Sequence, residues 1–234
     1  MNVFYTILTI FISSVLAYLL GSASTSIIIG KLFFHKDIRD YGSKNAGGTN
    51  AGRVLGKKAG AVVMIIDISK ALIVFWSLFL LFETIDFVSF TYSWVPPVSI
   101  YTSLFFLSIG HCWPIFFNFK GGKTVSIFAG IILATNWLFT IIGLPIYVLI
   151  LKLEKKVSLS SIVVSSGLAL ASWIYLFPVI KGFGFYPLLL NSPLLIYWIY
   201  ALLLTFTAIE LVLRHRTNID RLMKNTETKI KWMK

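Results

Sequence analysis

Three short segments of this sequence concentrate groups suited to holding anions. The densest reads Gly42-Ser43-Lys44-Asn45-Ala46-Gly47-Gly48-Thr49-Asn50-Ala51-Gly52-Arg53, with four glycines, two hydroxyls, two asparagines and two cations in twelve residues. Glycine lets backbone N–H groups approach a ligand, and Arg grips a phosphate through two parallel hydrogen bonds. No P-loop or dinucleotide fingerprint is present, so composition alone leaves a flexible linker as the alternative. The second segment is Gly110-His111-Cys112-Trp113-Pro114 and then Phe119-Lys120-Gly121-Gly122-Lys123, directly before an apolar run that opens at Thr124. Two lysines around a Gly-Gly at a helix start predict backbone donors, a positive dipole end and point charges about one small volume, which should bind an anion. The third is Arg214-His215-Arg216-Thr217-Asn218-Ile219-Asp220-Arg221, continuing through Glu227 to Lys231. A juxtamembrane basic cluster of this kind also suits lipid headgroups. Ser158-Leu159-Ser160-Ser161 adds hydroxyls placed to cap a helix.

The elements that must carry these segments are apolar. The 234 residues are 57% hydrophobic, 16% aromatic and only 13% charged, with a mean hydropathy of +0.85, which excludes a water-soluble globule. Runs long enough to cross a bilayer, about 20 residues of helix, lie at 4–33, 59–82, 97–117, 124–150, 159–177 and 194–213. The net charge of +12 would suit nucleic acid if it were spread over a soluble surface. Instead, all of the 21 lysines and arginines except Lys70 and Lys181 fall in four short segments, 31–58, 120–123, 152–156 and 214–234. The positive-inside rule puts all four in the cytoplasm, so an even number of crossings separates any two of them. The run 124–150 begins beside Lys123 and ends beside Lys152, so one crossing cannot join its ends. It must turn near Ala134-Thr135-Asn136-Trp137, as two short helices or as a re-entrant hairpin, with Gly130, Gly143 and Pro145 softening it. An all-α, polytopic membrane protein follows, a single integral domain over 1–234. It has seven spans, of which the fourth and fifth are short, with Met1 outside and the C-terminus inside.

Charges within the spans are Asp67, Lys70 and Glu210. Asp67 and Lys70 are three apart on one helix face and predict a mutual ion pair, and Glu210 stands four residues before Arg214, the spacing of a pair at a helix end. Cys112 is the only cysteine, which excludes an internal disulfide, and no Cys/His spacing for structural zinc exists. Adjacent His111 and Cys112 would point apart on a helix, so a buried, unreactive Cys is expected.

Read together, the motifs resemble the acyl-phosphate-dependent glycerol-3-phosphate acyltransferases of bacterial membranes. The likeness runs through Asp37-Ile38-Arg39, Gly42-Ser43-x-Asn45-x-Gly47-x-Thr49-Asn50-x-x-Arg53, Leu55-Gly56-Lys57-Lys58-Ala59-Gly60 and Asp67-Ile68-x-Lys70. Gly110-His111, Phe119-Lys120-Gly121-Gly122-Lys123, Ser158-Leu159-Ser160-Ser161 and Arg214-His215-x-x-Asn218-Ile219-x-Arg221 with Glu227 follow in family order. The resemblance implies transfer of a fatty acyl group from acyl phosphate to the 1-hydroxyl of sn-glycerol 3-phosphate, giving lysophosphatidate and inorganic phosphate, the first step of phospholipid synthesis. It implies no cofactor, no metal and no nucleic acid, and a multi-pass protein of the bacterial plasma membrane with its active site facing the cytoplasm. Residue by residue, it marks Ser43, Arg53, His215 and Asn218 as catalytic. For substrate phosphate it marks Asn45, Gly47, Thr49, Asn50, Lys120, Gly121, Gly122, Lys123, Ser161 and Glu227. The chain departs from the family pattern in four places: Lys44 stands where Gly is usual, Gly48-Thr49-Asn50 where Ala-Thr-Asn is frequent, Thr124-Val125-Ser126-Ile127 where Gly or Ala followed by Val-Ala-Thr is frequent, and Gly21-Ser22-Ala23-Ser24 where Gly-Ser-Ile-Pro is usual. A paralogue acylating another polyol phosphate, or a small transporter of an anionic lipid or metabolite, shares many of these features. A transporter, however, should place polar groups at mid-membrane in related halves, and no internal repeat is evident. His35 and Asp40 make the H-x4-D string of thioester-dependent glycerolipid acyltransferases, but a five-residue separation pairs poorly along a helix.

Overall fold

The computed structural model describes residues 2–84, 94–177 and 194–230. Met1, Lys181 and Lys231, on which parts of the topology and charge reading fall, lie outside the described residues. The described chain is helical, and it divides into two compact units, Met1–Ala134 and Thr135–Lys234. Six stretches are long and apolar enough to cross a membrane: Val3–Phe34, Lys57–Thr84, Val95–Phe117, Trp137–Glu154, Val157–Leu176 and Leu194–Arg214. Val125–Thr135 is a shorter apolar helix.

In the first unit, α1 (Asn2–Ser22) and α2 (Thr25–Phe34) form one 32-residue apolar stretch interrupted at Ala23–Ser24. Unbroken, it would be about 48 Å long at 1.5 Å per residue, well beyond a hydrocarbon core of about 30 Å. Ser24 has φ −64°, the angle a proline ring imposes, so it takes the backbone shape that the family's usual proline would fix. The carbonyl of Ala23 accepts a hydrogen bond from Lys70 Nζ at 2.6 Å, and Thr25 Oγ1 donates to Asp67 Oδ1 at 2.6 Å. Lys70 and Asp67, both on α4 (Lys57–Thr84), pair at 3.0 Å and are buried. The expected ion pair therefore forms and has a further task. It satisfies the backbone and hydroxyl groups at the break, where lipid offers no partner.

Small residues bring helices into backbone contact in this unit. A Cβ on Gly21 would strike the Leu107 carbonyl, and one on Gly110 the Tyr18 carbonyl, so α1 and α5 (Val95–Cys112) touch at two glycines. Gly48 and Gly52, one turn apart on α3 (Gly48–Val54), lie on Gly60 of α4; a Cβ on Gly60 would be 2.6 Å from Gly52 Cα. Gly56, at φ +100°, makes the turn between α3 and α4. The α6 helix (Val125–Thr135) has 11 residues, about 16 Å, which is half a bilayer core.

The chain leaves helical geometry at Asn136 (φ −148°, ψ 101°), within the tetrapeptide where the charge parity places a turn. Asn136 Oδ1 accepts from Phe139 N at 3.0 Å and so caps α7 (Trp137–Glu154). The α7 helix, the expected fifth span, runs beyond its expected end at residue 150: its 18 residues carry it past Pro145 to Glu154, and Lys155 in the left-handed region ends it. In the second unit, α7 and α8 (Val157–Ser172) pack at Gly143, where a Cβ would lie 2.8 Å from Leu168 Cδ1. Asn136 Nδ2 donates to the Tyr175 hydroxyl at 2.8 Å, and Trp173 Nε1 to Thr205 Oγ1 of α9 (Leu194–Arg214) at 3.1 Å. Polar side chains inside the unit are thus spent on one another. The short α10 (Arg216–Met223) follows α9 at His215.

Replacing Lys70 by Met leaves the buried Asp67 carboxyl without its partner, so thermal unfolding in detergent should show a loss on the order of 3–5 kcal/mol. The double replacement Asp67→Asn with Lys70→Met should recover most of that loss. A double variant as unstable as Lys70→Met alone would contradict the pairing.

Candidate active site

The first motif is a pinned loop. After the 3-10 turn Ile38–Asp40, residues 41–47 lead into α3, and Gly42 (φ +60°) and Lys44 (φ 56°) are both left-handed. Asn50 holds the loop from inside: its Oδ1 accepts from Ser43 N at 2.8 Å, and its Nδ2 donates to Ile38 O at 2.9 Å and Tyr41 O at 3.1 Å. Its side chain is fully buried, so it shapes the loop instead of presenting itself to a ligand. Ser43, Lys44 and Arg53 are exposed, with Asn45, Gly47 and Thr49 half-buried. Thr49 and Arg53, four apart on α3, share a helix face. Lys44 occupies in a left-handed conformation the position where the family usually has Gly, which is the residue such a conformation favours.

The lysine motif adjoins the first within the same unit. A Cβ on Gly122 would meet His111 Nε2 and lie 2.9 Å from the Ala46 carbonyl, so the two loops are in contact there. The expected role of Gly121 and Gly122 as backbone donors needs correction. Gly121 N donates to Cys112 O at 3.2 Å and Gly122 N to His111 O at 2.9 Å, so both N–H groups close the loop on the end of α5. The glycines are required for close approach, because Cβ atoms would collide with Ala46, His111 and Cys112. Lys120 is exposed and Lys123 half-buried, and α6 starts just beyond them. Thr124 is also left-handed (φ 62°), the second departure at a position where the family often has Gly. Cys112 is buried, with Sγ 2.8 Å from Thr124 Oγ1, as expected of an unreactive thiol.

The third motif belongs to the second unit. His215 Nδ1 is 2.8 Å from Leu211 O. A carbonyl only accepts, so Nδ1 carries a proton in this contact. Glu227 is a hub: Oε1 accepts from Ser158 Oγ at 2.8 Å and Asn218 Nδ2 at 2.7 Å, and Oε2 from Arg221 Nε at 2.8 Å. Burial pushes its carboxyl up, but the bonds from Arg221, Asn218 and Ser158 outweigh that and hold it below the usual range. Carbonyl acceptance from Ile230 N by Lys155 O at 2.7 Å fixes the chain beyond it. The serines do not cap α8, because the helix starts at Val157 and puts them inside its first turns. Ser160 Oγ bonds back to Lys156 O and Ser161 Oγ to Val157 O. Glu210 is buried on α9, one turn before Arg214. His35 ends α2 and makes no ion pair with Asp40.

Residues that sequence reasoning left without a part are Asp37 and Arg39. Arg39 donates to Asp37 through Nε and Nη2 and to Phe117 O through Nη1 at 2.9 Å. The Asp-x-Arg string was visible, but its partner carbonyl lies 78 residues away.

Residues 11–225 match the model of the family described as Glycerol-3-phosphate acyltransferase. Glycerol-3-phosphate acyltransferases of Staphylococcus carnosus and Listeria monocytogenes are similar to this chain. The first is 40% identical over 221 residues, covering 93% of this chain and 96% of the relative. The second is 37% identical over 220 residues, covering 94% and 96%. Among solved structures, PlsY (YgiH), an integral membrane glycerol 3-phosphate acyltransferase, in its glycerol 3-phosphate form gives a TM-score of 0.72 at 28% identity, covering 94% of this chain and 95% of that one. Its lysophosphatidic acid form gives 0.69 at 26% identity with the same coverage.

Two outcomes follow from the geometry. Lys44→Gly should stabilise the protein by about 1 kcal/mol and Gly42→Ala should destabilise it, since a Cβ at Gly42 would strike Asn50 Oδ1; thermal unfolding in detergent reads both signs. Because folding lowers the Glu227 pKa, its contribution is fully present above the ordinary value of 4.5 and is lost as pH falls through the lowered one. A plot of Tm against pH should therefore fall on the acid side below 4.5, and Glu227→Gln should flatten that fall while lowering Tm at neutral pH.

Proposed function

The chain belongs to the glycerol-3-phosphate acyltransferase family and is a membrane acyltransferase, and on that premise we propose that its donor is acyl phosphate. It moves the fatty acyl group to the 1-hydroxyl of sn-glycerol 3-phosphate and releases lysophosphatidate and inorganic phosphate. The observation that carries this reading is the contact of two basic, glycine-rich loops at Gly122 and Ala46, with Lys44, Arg53, Lys120 and Lys123 on them. Both substrates and the leaving group are phosphates, so such a site needs cations and fixed donors more than a covalent nucleophile. The buried Cys112 agrees with that economy.

In the reaction, the glycerol hydroxyl oxygen bonds to the acyl carbonyl carbon and the carbonyl carbon–phosphate oxygen bond breaks. Phosphate leaves, and the hydroxyl proton passes to a phosphate oxygen or to His215. Arg53 and a motif lysine hold phosphate groups, while Ser43 and Asn218 orient substrate oxygens. Asn45, Gly47, Thr49 and Ser161 contact substrate. Asn50 and Glu227 are positioning residues, since the first is spent on the Ser43 loop and the second is an anion that would repel phosphate. An acyl phosphate is an activated mixed anhydride, so no cofactor or metal enters the scheme. The four basic segments face the cytoplasm of a bacterial plasma membrane, with seven crossings, of which α6 is the shortest.

Purified protein in lipidic medium, given palmitoyl phosphate and radiolabelled glycerol 3-phosphate, should form lysophosphatidate without acyl-CoA or metal. Ser43→Ala and Arg53→Ala should each lower the rate by at least about 100-fold. Folded wild-type protein that yields no product, or an acyl-enzyme trapped on Ser43 or Cys112, would overturn direct transfer from acyl phosphate.

A further inference from the structure

Arg39 joins two parts of the first unit that no continuous helix connects. It rises from the 3-10 turn Ile38–Asp40, which Asp37 caps by accepting from Arg39 N at 3.0 Å. The guanidinium meets Asp37 side-on, Nε to Oδ1 at 3.0 Å and Nη2 to Oδ2 at 2.7 Å, which fixes the plane and aims Nη1 away from the carboxylate. Nη1 then donates to Phe117 O at 2.9 Å and approaches Lys120 O at 3.4 Å. The Asp37 carboxyl is held down to about 2, chiefly by its hydrogen bond with Arg39, and Lys31 stands 3.5 Å from it.

The loop that Arg39 grips needs holding. Asn118 and Phe119 are consecutive left-handed residues at φ 55° each, and Phe119, a bulky side chain, is exposed. Asn visits that region readily, but a bulky residue such as Phe119 is strained there and persists only where surrounding bonds determine it. Phe117 N and Phe119 N both turn onto Pro114 O, Gly121 N and Gly122 N onto the end of α5, and Arg39 supplies the clamp from the opposite strand of chain. The loop is thereby fixed on both sides of Lys120.

We propose that Asp37 and Arg39 are positioning residues which lock the Lys120–Lys123 loop against the first motif, so that the two lysines meet one substrate phosphate in a loop already set. This rests on the acyl-transfer reading above. Neither residue touches substrate; Asp37 orients Arg39, and Arg39 orients the lysine loop. A single loop serves a single phosphate, so loosening it should weaken binding of one phosphorylated substrate and spare the other.

The test compares Arg39→Gln, Asp37→Asn, Arg39→Lys and the double variant Asp37→Asn/Arg39→Gln as full-length protein in lipidic medium. Arg39→Gln should raise the KM for either glycerol 3-phosphate or palmitoyl phosphate on the order of tenfold, as expected for loss of a charge-assisted bond, and leave the other KM within about twofold. Arg39→Lys, which keeps the charge but cannot grip Asp37 side-on while reaching Phe117 O, should fall between. The double variant should be no worse than Arg39→Gln, because the two act as one unit. Amide exchange at residues 117–123 should rise in Arg39→Gln while exchange in α5 and α6 stays as in wild type. Unchanged values of both KM, or a proportional loss of rate with both KM unchanged, would show a merely structural part and overturn the proposal. Unchanged exchange at 117–123 would overturn it as well. If the wild type makes no product, the acyl-transfer reading fails instead, and the exchange comparison still decides whether Arg39 holds the loop. Should Arg39→Gln fail to fold, Arg39→Lys and Asp37→Asn carry the same comparison.

Discussion

The carboxamide of Asn50 faces inward and makes three hydrogen bonds, one accepted from Ser43 N and two donated to the carbonyls of Ile38 and Tyr41. A segment with four glycines would otherwise sample many backbone states, and each residue ordered on substrate binding would cost about 1–2 kcal/mol. Ordering it in the folded protein moves that cost out of the binding step. What Asn50 determines is the backbone at Ser43, and through the start of α3, the direction from which Arg53 departs.

Asn50 can do this only because α3 is itself fixed. Glycines at 48 and 52 let α3 lie on Gly60 of α4, and α4 carries the Asp67–Lys70 pair that closes the break between α1 and α2. The charges within the first unit's spans thus hold a helix break. The same economy holds in the second unit, where Glu227 is buried yet low in pKa because three donors surround it. In both places an anion serves as an internal acceptor, and the groups left exposed on the first unit's motif loops include Ser43, Lys44, Arg53 and Lys120. Cations and a hydroxyl are the groups that attract a phosphate.

Much of this was legible in the sequence because it depends on short-range periodicity and charge. The apolar runs, the turn at Asn136, the Asp67–Lys70 pair and the buried Cys112 all follow from spacing along one helix or from the distribution of lysine and arginine. What escaped depends on pairings between distant residues. Ser158 and Glu227 are 69 residues apart, and Arg39 and Phe117 are 78 apart, with no periodic trace. Glycine exposes its N–H, which makes Gly121 and Gly122 look like ligand donors, but which carbonyl an N–H meets is a tertiary fact. The serines at 158–161 look like caps until the helix is seen to start before them. Lys44 and Thr124 are instructive in a different way. At both, the family's frequent glycine corresponds to a left-handed backbone that this chain keeps with a side chain attached.

On the proposed reading, the two loops that hold phosphate are formed before substrate arrives. A crystal structure of this protein with glycerol 3-phosphate bound tests it most directly. The substrate phosphate should lie at the Arg53 and Lys120–Lys123 loops, with the three Asn50 hydrogen bonds and the left-handed turns at Gly42 and Lys44 unchanged. A phosphate seated away from both loops, or a first-motif loop rebuilt with Asn50 turned out to meet the ligand, would contradict it.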